Sequence, residues 1–447
     1  MTPDEERGHL QRQRRRLTAT ETDFEVVRQR AVLVGVATGN LDVEEAEDSL
    51  AELALLTDTA GADPVEAIVQ RRDAPDPATY LGRGKVEEVA RLCEAVDADV
   101  VVFDDELTPA QQRNLEKELK VDVVDRAALI LDIFAQHASS RAGMIQVELA
   151  LHRYRLPRLR GRGIAMSRQE GGIGAKRGPG ETKLEVDRRR IQRRIQKLER
   201  ELGQLEGTRA TQRKARRRAA LPLVALVGYT NAGKSTLLNR LTDAGVLVEH
   251  QLFTTLDPKV KRLRLAAGDE VLLADTVGFV KKLPHQLVEA FRSTLEEVAG
   301  ADLLLHVVDG STTDVERHIR AVRTVLTEIG ADAIRQVFVV NKIDVAPPGI
   351  VSEVAREHED AHVVGISART GEGVDKLLEA VARDLHSLFT TVELLIPYDR
   401  GDAVASAHRE GEVLAEEHGD DGVHLRARLP EPTAARLAEF VVEASAS

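Results

Sequence analysis

Between residues 228 and 236 the chain reads Gly228-Tyr229-Thr230-Asn231-Ala232-Gly233-Lys234-Ser235-Thr236. An apolar run, Leu221 to Val227, precedes this stretch, and a segment of helical pattern, Thr236 to Leu241, follows it. A buried strand, a glycine-bounded loop and a helix N-terminus together turn backbone N–H groups and the positive helix end toward an anion. In that setting the Lys234 ammonium reaches the β- and γ-phosphates of a nucleoside triphosphate, and Ser235 offers its hydroxyl to Mg²⁺.

Three further polar clusters follow apolar runs. Val271 to Ala274 leads to Asp275-Thr276-Val277-Gly278, where the carboxylate can hold Mg²⁺ through water and the glycine N–H can approach the γ-phosphate. Val337 to Val340 leads to Asn341-Lys342-Ile343-Asp344. Guanine presents two donors on its Watson–Crick edge, N1–H and the N2 amino group, and Asp344 can accept both as a charge-assisted pair. The Lys342 stem can lie along the base, and Asn341 can brace the base and the phosphate loop. Val363 to Ile366 leads to Ser367-Ala368-Arg369, where a backbone N–H can meet guanine O6. Each cluster alone is weak, since D-x-x-G and N-K-x-D both occur in ordinary turns. In this order, at the C-terminal ends of strands in one α/β unit, they predict a GTP site.

Between the first two motifs lies Phe253-Thr254-Thr255-Leu256-Asp257-Pro258. A threonine here would cap the metal only while the γ-phosphate is present, as a switch loop does. Thr255 is preferred over Thr254. Lys234, Thr255 and Gly278 are then the groups expected to act on the reaction, and Ser235, Thr255 and Asp275 those around the metal. Where Ras-type GTPases carry a water-orienting glutamine, this chain has Phe279. An apolar side chain cannot polarise water, so hydrolysis by the isolated protein should be slow and depend on a partner, a cation or the switch backbone. Asn231 offers a place for a monovalent cation such as K⁺ beside the phosphates.

The chain's 447 residues suffice for roughly three domains. The single cysteine, Cys93, excludes an intrachain disulfide. No apolar run approaches membrane-span length, and the Arg-rich N-terminus lacks a signal-peptide core, so a cytoplasmic protein is expected. No seam in the sequence requires a partner chain, so it reads as a monomer. The net charge of −12 hides a reversal: residues 153 to 218 hold 22 Lys and Arg against 7 Asp and Glu. A basic segment within an acidic chain predicts a localised polyanion contact.

The expected fold class is α/β: a P-loop GTPase domain preceded by a small α/β domain with a helical hairpin and followed by a small α+β tail domain. Residues 1–28 read as a polar tail. Residues 29–140 alternate strands (Val32 to Val36, Val100 to Phe103, Val121 to Val124) with helices (Val43 to Leu56, Lys85 to Val96, Pro109 to Leu119). Residues 141–220 read as a basic antiparallel hairpin and linker. The first helix runs Gly143 to Leu159, and Ile191, Ile195, Leu198, Leu202 and Leu205 form a seam on the second. The G domain spans 221–388 and the tail domain 389–447, with strands Val392 to Ile396 and Val423 to Leu429 and a helix Pro432 to Val442. Arg168, Lys176, Arg177, Arg188, Arg189 and Arg193 are the expected RNA contacts. Tyr154 is the one aromatic in the hairpin, so phosphates and shape rather than base stacking would be read. Gly82-Arg83-Gly84-Lys85 suggests a second nucleotide site but lacks a full phosphate loop, and a turn feeding a helix explains it as well.

With these residues in view, the chain resembles the HflX family, ribosome-associated GTPases of the Obg–HflX group. Asp76 to Lys85, Asp125 to Phe134, Gly171 to Gly174 with Arg177 to Thr182, and Phe253 to Pro258 resemble its motifs in order. Phe279 departs from Ras-type enzymes but agrees with this family. The resemblance implies GTP hydrolysis to GDP, binding to the large ribosomal subunit with the hairpin loop near its rRNA, and splitting or rescue of stalled ribosomes under stress. A large-subunit assembly factor and a nucleotide-gated RNA-binding module are the competing readings.

Overall fold

The protein is described by a computed structural model over residues 28–39, 43–159, 183–218, 221–242, 253, 259–265, 270–282, 292–387 and 389–442. Thr254, Thr255, Arg168, Lys176, Arg177 and the N-terminal tail up to residue 27 lie outside these residues.

The first unit is a parallel sheet of β1 (Gln29–Thr38), β2 (Ala62–Arg72), β3 (Val100–Phe103) and β4 (Asp122–Asp125), in the order β2-β1-β3-β4. Its helices are α1 (Val43–Thr59), α2 (Arg83–Ala95), α3 (Pro109–Leu119) and α4 (Arg126–His137). Successive side chains of a strand face opposite ways, so β1 must be apolar throughout if both faces are covered. Val32, Val34 and Val36 pack with Val86, Val89 and Cys93, while Ala31 and Leu33 pack with Leu50, Leu53, Ile130 and Phe134. Local chemistry sets the helix ends. Thr108 and Gln111 form a reciprocal capping box with Pro109 in the first turn of α3. Asp125 caps α4 through the Ala128 N–H at 2.9 Å. Gly82 is the N-cap of α2, and the Lys85 ammonium pairs with Glu88 in the same helix, as a turn feeding a helix requires.

Two elements of this unit were not anticipated. β2 is an edge strand with one paired side and a largely exposed, mixed sequence, so it lacks an apolar alternation. α4 directly abuts β4 and merges with its apolar run.

α5 (Arg141–Arg158) and α6 (Lys183–Arg218) follow. Ile145 and Leu149 of α5 pack with Ile195, Leu198, Leu202 and Leu205 of α6, four of the five expected seam residues. Two basic residues serve this packing: Arg194 holds Glu148 through two bonds of 2.6 Å and Arg153 holds Glu199 at 2.8 Å; Arg158 instead ties α5 to the end of β4, reaching Asp125 at 3.1 Å. Arg189 and Arg193 lie on the exposed side of α6, and Arg188 is half-buried.

The second sheet runs β10-β9-β8-β5-β7-β6, all parallel except β6. Its strands are β5 (Leu223–Gly228), β6 (Lys259–Arg264), β7 (Glu270–Asp275), β8 (Leu303–Asp309), β9 (Gln336–Asn341) and β10 (His362–Gly365). Around them lie α7 (Lys234–Thr242), α8 (Arg292–Ala299), α9 (Val315–Glu328), α10 (Ile350–Glu357) and α11 (Val374–Ser387). The motifs sit at the C-terminal ends of β5, β7, β9 and β10.

The tail is an antiparallel sheet, β11 (Phe389–Ile396), β13 (Gly422–Pro430) and β12 (Glu412–Gly419), with α12 (Gly401–Glu410) and α13 (Glu431–Arg436). The expected helix from Pro432 to Val442 is corrected: α13 stops at Arg436, and a short 3₁₀ turn at Ala438–Phe440 buries Phe440. α12 and β12 were not anticipated because their residues are mostly polar and exposed. Among the described residues no helix is long and apolar enough to cross a membrane.

Candidate functional site

The loop after β5 is held in a shape that its two glycines permit. Gly228 has φ +154°, and a Cβ there would lie 2.2 Å from the Val307 carbonyl oxygen. Gly233 has φ +94°, and a Cβ would lie 2.2 Å from Asn341 Nδ2. Asn231 takes a left-handed φ of +59°, which asparagine tolerates better than most residues. The Lys234 ammonium is buried and donates to the carbonyls of Gly228 at 2.9 Å and Tyr229 at 2.8 Å. Burial pushes its pKa down to about 8, against the opposing charge of Asp275. An ammonium has three N–H donors, so two bonds to the loop fix the axis of the third.

Ser235 Oγ donates to Asp275 Oδ2 at 2.9 Å, bringing a hydroxyl and a fully buried carboxylate to one point, a donor set that suits Mg²⁺. Gly278 passes close to both groups of the loop: a Cβ on it would lie 2.6 Å from Thr230 Cγ2 and 3.3 Å from Lys234 Nζ. Thr276 Oγ1 donates to Leu226 O at 2.6 Å and Val277 is buried in the core, so these two side chains face inward and leave only their backbone toward the loop. Phe279 is fully buried, in one cluster with Phe134 and Phe253. Its backbone is tied to the phosphate loop: its N–H donates to Gly228 O at 3.1 Å, and its carbonyl accepts the Thr230 N–H at 2.7 Å. Thr236 lies in the first turn of α7, partly buried.

At the other end, Asn341 joins two loops. Its Nδ2 donates to Ala232 O at 2.8 Å and its Oδ1 accepts the Ala368 N–H at 2.9 Å. Lys342 has φ +65°, and its ammonium meets Asp309 at 2.5 Å. Asp344 pairs with Arg369 at 2.6 Å, and bonds from Ser367 and Arg369 hold its carboxyl below the usual range. Arg240 on α7 donates to the carbonyls of Ala368 and Arg369, anchoring that turn to the helix after the phosphate loop. Asp309 and Arg240 were missed in the sequence. Asp309 had a signal, since Asp309-Gly310 ends an apolar strand as the other motifs do.

The structure thus brings Gly228 to Thr236, Asp275 to Gly278, Asn341 to Asp344 and Ser367 to Arg369 to one edge of the sheet, with Phe253 beneath the phosphate end. Arg188, Arg189 and Arg193 lie on a separate element, α6.

Comparison with known proteins follows this division. Residues 47–135 match a family described as GTP-binding GTPase N-terminal, 137–216 the GTP-binding GTPase Middle Region, 223–342 a 50S ribosome-binding GTPase family and 352–441 the HflX C-terminal domain. A GTPase HflX of Lacrimispora saccharolytica is 46% identical over 93% of this chain and 97% of its own length. The GTPase HflX of Escherichia coli is 42% identical over 90% of this chain and 94% of its own. A solved GTP-binding protein of Sulfolobus solfataricus in complex with GDP aligns over 80% of this chain and 99% of its own, at 23% identity and a TM-score of 0.42. Matched from its first sheet to its tail, and carrying the phosphate and base motifs in place, the chain belongs to the HflX family of GTPases.

Proposed function

We propose that the chain hydrolyses GTP as a switch on the large ribosomal subunit, and that the cycle serves to split or rescue stalled ribosomes. The observation that carries the nucleotide reading is the junction at Asn341, which ties the phosphate loop to the turn beside Asp344, so triphosphate and guanine are engaged by one rigid edge. Asp344 would accept the two guanine donors in place of Arg369. The loop N–H groups from Asn231 to Ser235 and the third Lys234 donor would hold the phosphates, with the Gly278 N–H at the γ-phosphate and Thr255 closing over it.

Ser235 and Asp275 would hold Mg²⁺, which when bound would supply positive charge to offset the charge developing on the phosphates. Asn231 would take a monovalent cation, so turnover in K⁺ should exceed that in Na⁺. Phe279 lies in the core and presents nothing to water, which makes slow intrinsic turnover the expectation. The ribosomal reading rests on the family description matched by residues 223–342 and on the basic segment from 153 to 218, with Arg189 and Arg193 outward.

Sedimentation with purified large subunits tests it. The chain should pellet with a non-hydrolysable GTP analogue and be released with GTP. Pelleting only with immature particles would make it an assembly factor, and tight pelleting without release would make it an RNA-binding module. No pelleting in either nucleotide would remove the ribosome from the account.

A further inference from the structure

Tyr229, the second residue of the phosphate loop, sends its side chain away from the nucleotide site and into the first unit. The ring stacks on His318 of α9 at 4.1 Å between centroids, with the two ring planes nearly parallel. Its hydroxyl lies 2.6 Å from Glu52 Oε1 on α1 and 2.6 Å from the backbone nitrogen of Lys281. A carboxylate can only accept, so the phenol proton goes to Glu52 and an oxygen lone pair takes the Lys281 N–H. Burial and the Glu52 charge raise the phenol pKa, which keeps that proton in place.

The path continues beyond Glu52. Its second oxygen holds Arg126 Nη2 at 2.7 Å, and Arg126 Nη1 holds Asp104 Oδ1 at 2.7 Å. Asp104 Oδ2 accepts from Ser49 at 2.8 Å and from the Lys282 ammonium at 2.6 Å, and Lys282 also meets Asp105. The circuit therefore returns to the residue after Lys281. Arg126 is 1% exposed, and a buried guanidinium is tolerated only because a carboxylate faces it on each side.

The segment Gly278 to Lys282 is thus pinned twice. The backbone of Phe279 is strapped to the loop at its start, and Tyr229, Asp104 and Asp105 hold its end. A site without a water-orienting glutamine depends on where its backbone donors stand, and donors help a transition state only when fixed in advance. We infer that Tyr229 and Glu52 are positioning residues for GTP hydrolysis: through them the N-terminal unit holds Gly278 to Lys282 against the phosphate loop, so that the Gly278 N–H stands ready for the γ-phosphate. The inference rests on the GTP hydrolysis proposed above and adds that the catalytic end is completed by a domain outside the nucleotide-binding unit.

Kinetics of the full chain test it, with Tyr229→Phe, Glu52→Gln and the double variant. Tyr229→Phe keeps the ring on His318 and removes only the hydroxyl. Its kcat should fall about tenfold, the scale of a small misplacement. KM and GDP affinity should stay within about twofold of wild type, because the loop itself is intact. Glu52→Gln keeps one acceptor but turns an NH2 group toward either the phenol or Arg126, so its kcat should fall by a similar factor. The double variant should be no slower than Tyr229→Phe alone, as two residues on one path require. A kcat within twofold of wild type in both single variants, a rise in kcat, or an equal loss of GDP affinity would overturn the inference. Absence of GTP turnover in the wild-type chain would instead overturn the functional reading beneath it.

Discussion

The two ends of the nucleotide site are built on different plans. The base end is closed within its own unit: Asn341 ties Ala232 to Ala368, Arg240 holds the turn at Ala368 and Arg369, and Asp309 steadies Lys342. The phosphate end leans on another domain. Its Tyr229 reaches Glu52, its Lys282 reaches Asp104, and its Phe279 and Phe253 share a core with Phe134. Selecting guanine needs a rigid edge that stays the same throughout a cycle, and neighbouring loops of one sheet supply that. Timing the phosphate chemistry needs an element that outside contacts can influence, and an interdomain interface supplies that.

The largest effect expected on this contrast comes from Arg126→Met. It would leave the Glu52 carboxylate without its cation and Asp104 with Lys282 alone, costing about 3–5 kcal/mol of stability, read by urea unfolding. GDP affinity below the transition should change little if the base end is self-contained. A matching loss of guanine selectivity would erase the distinction between the two ends.

Asp344→Asn probes the other end. GTP affinity should drop on the order of 100-fold through loss of two charge-assisted bonds, with xanthosine triphosphate gaining over GTP. Stability should hold, and intact preference for GTP would refute the base assignment.

The sheet shared by both ends carries its own pH response. His306 in β8 is buried against Phe338, and burial lowers its pKa from 6.5 to about 3. The folded state thus binds this proton less readily than the unfolded chain. Stability should be complete above about pH 6.5 and should decline by ~1.4 kcal/mol per pH unit as pH falls toward 3. His306→Phe should flatten that slope in acid unfolding curves.

The smallest effect belongs to Arg369, whose side chain is 76% exposed while sitting on the carboxylate that guanine would take. Arg369→Ala should raise GDP affinity by about two- to threefold at low salt and not at high salt, as expected of an exposed pair.

What could be read from the sequence follows the same divide. Lys234, Asp275, Asn341 and Asp344 announce themselves because each motif is a few consecutive residues at a strand end. The clamp does not. Tyr229 and Glu52 are 177 residues apart, and Arg126 reads like any basic residue opening a helix until the elements around it are packed. The alternation of strands and helices was legible wherever burial makes it periodic, as in β1 and α1. It failed for β2, α12 and β12, which face solvent along much of their length and therefore need no apolar pattern. The hairpin charge was legible as a total, but not its division between packing (Arg194 on Glu148, Arg153 on Glu199) and surface (Arg193).

The most direct test of the account is steady-state GTP turnover of the purified full-length chain with and without purified large ribosomal subunits. With Phe279 in the core and the phosphate end held through the N-terminal domain, turnover should be slow alone and should rise at least tenfold with the subunit, well within the roughly 10³–10⁵ that a group supplied in trans can give. Fast turnover by the chain alone, unchanged on adding the subunit, would contradict it.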